Sequence, residues 1–168
     1  MIEKPAIGHF WSAAIFSGFA VPSDWRSWAD LQIGKCDVPE CWLISLSLAA
    51  SKDELLGPLR EQMSCEETDY GFPIYIGDAK LGYIYWSYLF GRMSFTELLT
   101  RAGDEADGGT SDLECELVYE ILNRLEERLA SGDSWDDLRR QADKVFAPYL
   151  KVAQDQWSAI WVEESPSA

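Results

Sequence analysis

Ser94–Leu129 reads SFTELLTRAGDEADGGTSDLECELVYEILNRLEERL. Ser94 with Glu97, and Ser111 with Glu114, each have the spacing of a capping box, in which a serine hydroxyl and a glutamate carboxylate satisfy free N–H groups at a helix start. Gly108-Gly109 between them offers a stop for the first helix. After Ser111 the residues Leu113, Leu117, Val118, Ile121, Leu122, Leu125 and Leu129 recur at helical spacing, while Glu116, Glu120, Asn123, Glu126 and Glu127 fall on the other side. The stretch therefore reads as helix, acidic hinge, helix, with one apolar face and one strongly negative face.

Working outward, the same logic extends to most of the chain. Pro5 to Phe19 carries an apolar stripe with Pro at its start and Gly18 near its end, and a second helix is expected over Asp24 to Ile33 with Ser23 as N-cap. Glu40 to Ala50 is almost wholly apolar and reads as a buried helix rather than a buried strand. Ser51 and Glu54 form a third capping-box pattern ahead of Leu55, Leu56, Leu59 and Met63, and Pro58 belongs to the first turns of that helix or kinks it. Ser64 to Gly71 is polar and acidic and reads as a surface loop. In residues 72–91 Gly77-Asp78 fits either a hairpin turn near 72–86 or the start of a helix ending at Gly91, and the helix is preferred because Leu81, Ile84, Tyr85, Tyr88 and Leu89 share a side. Ser134 and Asp137 start a last long helix from Trp135 towards Trp161, with a kink or division expected at Pro148. The expected fold is all-α, a compact single domain of about six to eight helices over residues 1–162, with a frayed tail over 163–168.

Composition bounds the function. The chain has 168 residues and a formal net charge of −15, a sign opposed to direct binding of nucleic acid, which needs a basic patch, and to an anionic membrane surface. It favours a cationic partner approached through a long-range field, although acidity also serves plain solubility. No apolar run is long enough to span a bilayer. The opening MIEKPAIGHF lacks a basic segment followed by a long apolar one, so Cys36, Cys41, Cys65 and Cys115 are expected as free thiols in a reducing cytoplasm.

No nucleotide-binding glycine loop and no nucleophile elbow occurs. His9 is the one histidine, on an apolar segment where a structural role is the simpler reading. A di-metal carboxylate bundle needs Glu-x-x-His units, and Ala6 stands where the glutamate should precede His9. An EF-hand alignment on Gly108 puts Gly103 where an aspartate is required. No catalytic residue, metal ligand or cofactor is therefore expected. The remaining feature is an acidic surface: Glu97, Asp104, Glu105, Asp107, Asp112, Glu116 and Glu120, with Arg101 the one basic residue among them, are the expected partner-binding residues.

The aromatic-rich LGYIYWSYLFGRMSFTELL and the acidic AGDEADGGTSDLE, on a small chain without a catalytic motif, give a resemblance to the acidic immunity proteins of bacterial toxin systems, including those of contact-dependent inhibition and type VI secretion. The resemblance implies a cytoplasmic protein that binds and neutralises a cognate toxin domain, and an acidic inhibitor suits a basic nuclease, whose phosphate-binding groove is cationic. Two alternatives belong to other classes: an acidic adaptor or nucleic-acid mimic, and a carboxylate-based metal-dependent enzyme.

Overall fold

The computed structural model describes residues 5–162. They form α1 (Ile7–Phe16), α2 (Pro22–Ile33), α3 (Cys41–Leu48), a 3-10 turn (Lys52–Leu55), α4 (Leu56–Tyr70), α5 (Gly77–Leu89), α6 (Phe95–Gly108), α7 (Cys115–Ser131) and α8 (Asp136–Val162). The fold is all-α, and no strand occurs among the described residues. The expected frayed tail lies outside them. The chain divides into two compact units, one containing the residues up to Ile74 and those from Gln156, the other Tyr75–Asp155.

The first unit is built on indoles. Trp11, fully buried, meets Trp28 at 5.4 Å between ring centroids, Trp157 at 5.8 Å and Trp161 at 6.2 Å. The two contacts to α8 are edge-on, the arrangement that ring quadrupoles favour. Trp28 Nε1–H donates to the Ile160 carbonyl at 3.0 Å, which gives a buried indole its partner.

The core of the second unit is the apolar stripe read from the sequence. Leu98, Leu99 and Ala102 of α6 pack with Val118, Ile121 and Leu125 of α7, Leu81, Ile84 and Tyr85 of α5, and Leu138, Ala142 and Phe146 of α8. Leu129, the last residue of that stripe, is 55 % exposed. Pro148 neither divides nor ends α8, which continues through it, at the cost of one i→i−4 bond. Gly82 lets α5 approach α8 at this point: a Cβ there would stand 2.6 Å from the Tyr149 carbonyl carbon and 2.8 Å from Ala153 Cβ.

Several expectations need correction. The hairpin near 72–86 does not form, since α5 begins at Gly77. Ser64 to Tyr70 is not a loop; it continues α4 to Gly71, which takes the left-handed φ of +78° that stops the helix. Within this acidic run Glu66 turns inward onto α1 rather than into water. Ser23 does not cap α2: Pro22 occupies the first helical position and Asp24 accepts from Val21 N–H at 2.9 Å. α3 is a helix, as expected, but only Leu43 and Leu46 are buried, and Leu48 is 72 % exposed. Ser51 hydrogen-bonds Glu54 at 3.2 Å at the head of the 3-10 turn instead of capping an α-helix.

Candidate interaction site at the acidic corner

The capping box at the head of α6 forms as the sequence implies. Glu97 N–H donates to Ser94 Oγ at 3.1 Å and Ser94 N–H to Glu97 Oε2 at 2.9 Å. The box at Ser111 does not form. α7 starts later, with Glu114 in the N-cap position, and Ser111 Oγ accepts from Leu113 N–H at 3.1 Å and donates to Asp78 at 2.7 Å. Gly77 N–H donates to Thr110 Oγ1 at 3.1 Å. The hinge is thus pinned to the first turn of α5, and a Cβ at Gly77 would stand 2.6 Å from the Ser111 nitrogen. A fixed hinge fixes where its carboxylates point.

α6 and α7 lie against one another with Tyr119 over Gly103, where a Cβ would meet the ring at 2.5 Å. Tyr119 donates to Asp104 at 2.8 Å, and this hydrogen bond, with burial and the charges of Asp104 and Asp107 adding to it, pushes the phenol up to about 12. Cys115 Sγ lies 3.4 Å from Glu116 and 3.7 Å from Asp107. Desolvation and these two carboxylates raise its thiol above the usual value. Asp104 and Asp107 of α6 therefore share one negative patch with Glu116 of α7.

The other expected residues are placed differently. Asp112 is exposed in the hinge, and Glu120 is exposed one turn beyond Glu116. Glu97 is exposed but engaged in its capping box at the opposite end of α6, about 10 Å along the axis from Asp104 at the usual helical rise. Glu105 is half-buried in an ion pair with Lys80 at 2.9 Å, which removes it from the free set. Lys80 comes from α5, and no local spacing in the acidic segment reveals it.

The patch is not explained by local helix stability. Asp104, Glu105 and Asp107 occupy the last turns of α6, where the helix dipole is negative, and no basic residue stands in the last turn. Carboxylates there are destabilising by about 0.3–1 kcal/mol each when exposed; the Lys80 pair offsets this for Glu105, and the Tyr119 hydroxyl serves Asp104. Glu116, by contrast, lies in the first turn of α7, where the dipole favours it. The residues that an EF-hand alignment would place in a loop, Gly103 to Gly108, are helical, so that backbone cannot wrap an ion in the EF-hand manner.

Sequence reasoning missed a second polar centre. His9 is fully buried on α1, with Nδ1 2.6 Å from Glu66 Oε2 and Nε2 3.4 Å from Glu67 Oε1. Glu66 also accepts from Gly8 N–H at 2.7 Å, His9 N–H at 3.1 Å and Gln62 Nε2 at 3.1 Å. Burial alone would raise the Glu66 carboxyl, but the hydrogen bonds from His9, Gly8 and Gln62 outweigh it and hold the group below the ordinary glutamate value. Both imidazole nitrogens face carboxylates, so the ring ties α1 to α4 and has neither nitrogen turned to a hydroxyl. All four thiols are free, with Cys36, Cys41 and Cys65 exposed. Among the described residues no group of three or more His, Cys, Asp or Glu is arranged to hold a metal, and no helix is long and apolar enough to cross a membrane. No protein-family model, no curated protein and no solved structure matches the chain.

Proposed function

We propose that this chain is an immunity protein: it binds a cognate, basic bacterial toxin domain, such as a nuclease, in the cytoplasm and blocks it by occupying its cationic groove. The observation that carries this reading is the patch of Asp104, Asp107 and Glu116, held by a pinned hinge and set partly against the α6 dipole. Charge kept where it costs local stability suits a surface used for recognition, because complementary fields speed encounter and exclude wrong partners. The net charge of −15 extends that field over the molecule.

The test is co-expression with any basic toxin domain that the neighbouring genes encode, with toxin activity and association rate as readouts. The chain should abolish the activity in a one-to-one complex. Replacing Asp104, Asp107 and Glu116 together by Ser should slow association about ten-fold at low salt, and the difference should shrink as salt rises. Unchanged association at low salt would remove this corner as the docking surface. An unaffected toxin would remove the reading itself.

A further inference from the structure

Within the first unit, α1 and α4 leave a groove of about 270 Å³, lined by Phe16 of α1 and by Leu56, Arg60, Met63, Ser64 and Glu67 of α4. Most of its wall is open. Leu56 is 49 % exposed, Arg60 and Ser64 are exposed, and Phe16 and Met63 are half-buried. The groove is smaller than the roughly 300–1,000 Å³ of a drug-sized ligand site, and suits one residue of a peptide better than a cofactor.

Arg60 sets the chemistry of the groove. The chain carries 29 Asp and Glu against 14 Lys and Arg, yet this guanidinium has no carboxylate partner among the described residues. On a helix the side chains that can meet it stand three and four residues away, and these are Leu56, Gly57, Met63 and Ser64. A permanently charged group therefore sits beside apolar surface and a hydroxyl, with its donors open to a ligand. Glu67 lies seven residues further along α4, about 10 Å at the usual helical rise. Its Oε1 accepts from Ile74 N–H at 3.1 Å and faces His9 Nε2 at 3.4 Å, so this carboxylate belongs to the fold and bounds the far end. The groove has a cation at one end, a carboxylate at the other and apolar surface between.

We propose that this groove takes the C-terminal residue of a partner polypeptide, an apolar side chain with a free carboxylate. The carboxylate pairs with Arg60, whose planar fork matches it with two parallel hydrogen bonds. The side chain lies on Phe16, Leu56 and Met63, and the residue's amide N–H donates to the Ser64 hydroxyl one turn from Arg60. Glu67 fixes the direction, because a carboxylate placed at its end would be repelled. A simple fatty acid would serve Arg60 and the apolar wall but would bring no amide to Ser64. The inference rests on α1 and α4 alone and stands whether or not the acidic corner binds a toxin.

The experiment is an NMR titration of the full chain with N-acetyl-leucine, with its neutral amide and with hexanoate. Saturable shifts are expected at the Arg60 Nε–H, the Met63 methyl and the Ser64 amide, with a dissociation constant on the order of millimolar for so small a ligand. N-acetyl-leucine should bind about ten-fold more tightly than its amide and several-fold more tightly than hexanoate. Arg60→Gln should weaken it about ten-fold with unchanged circular dichroism, while Lys144→Gln, which removes a cation from α8, should leave it unaltered. Equal binding of the acid and its amide, an unaltered response in Arg60→Gln, or no shift at these three residues would each overturn the proposal. Hexanoate bound as tightly as N-acetyl-leucine would overturn the peptide in favour of a fatty acid.

Discussion

His9 Nδ1 lies 2.6 Å from Glu66 Oε2, and both residues are buried. This pair joins α1 to α4 and gives an acidic stretch of sequence an inward-facing member. A carboxylate that accepts from a ring nitrogen, two backbone N–H groups and an amide is a charge-assisted hub, and removing its charge leaves buried donors poorly served. Glu66→Gln should lower stability by about 2–3 kcal/mol, measured by urea denaturation at neutral pH. A loss within about 0.5 kcal/mol would show the hub to be dispensable.

Acid should act through the same carboxyl. Its folded-state value is held below the ordinary 4.5, so its contribution is fully present above about that pH and fades as pH falls through the lower folded value. The part of the stability gap between the native chain and Glu66→Gln that comes from this carboxyl should therefore shrink as pH falls below 4.5. Urea melts at a series of pH values test this, and a gap that widens in acid would contradict the sign.

Gly82→Ala should be destabilising although alanine is the better helix former. The added Cβ would stand 2.6 Å from the Tyr149 carbonyl carbon and 2.8 Å from Ala153 Cβ, so α5 and α8 must separate. Overpacking of this kind costs about 1–3 kcal/mol, against a propensity gain of about 1 kcal/mol. A thermal melt above that of the native chain would show that the contact relaxes freely.

The two ends of α6 should respond oppositely to removal of a side-chain oxygen acceptor. Ser94→Ala removes the hydroxyl that accepts Glu97 N–H and should cost about 1 kcal/mol. Asp107→Asn removes a carboxylate from the negative end of the helix dipole and should stabilise by a few tenths, up to about 1 kcal/mol. If the corner recognises a basic partner, the second variant gains stability and loses association rate together. Chemical denaturation beside association kinetics reads both.

Cys115 reports the corner's potential. Its thiol is held up by desolvation and by the carboxylates of Glu116 and Asp107, and only the thiolate is nucleophilic. In a chain with Cys36, Cys41 and Cys65 replaced by Ser, alkylation at pH 8 should be slower than for a free cysteine, and Asp107→Asn with Glu116→Gln should accelerate it several-fold. An unchanged rate would mean that the two charges do not act on the sulfur.

Local sequence determined a good deal here. The apolar spacing of Val118, Ile121 and Leu125, the Ser94–Glu97 box and the stop at Gly108-Gly109 act over three or four residues, and each is in place in the fold. So is the exposure of Asp104, Asp107, Asp112, Glu116 and Glu120, because charged side chains off an apolar stripe have water as their default. Only the tertiary structure decided that Glu66 faces inward, that Lys80 takes Glu105, that Ser111 serves Asp78 instead of capping α7, and that Phe16 lines one groove with Leu56, Arg60 and Met63. Those pairings join residues 25 or more positions apart. Periodicity along one helix carries no signal for them; they exist because a polar atom removed from water must find its partner wherever the packing brings one.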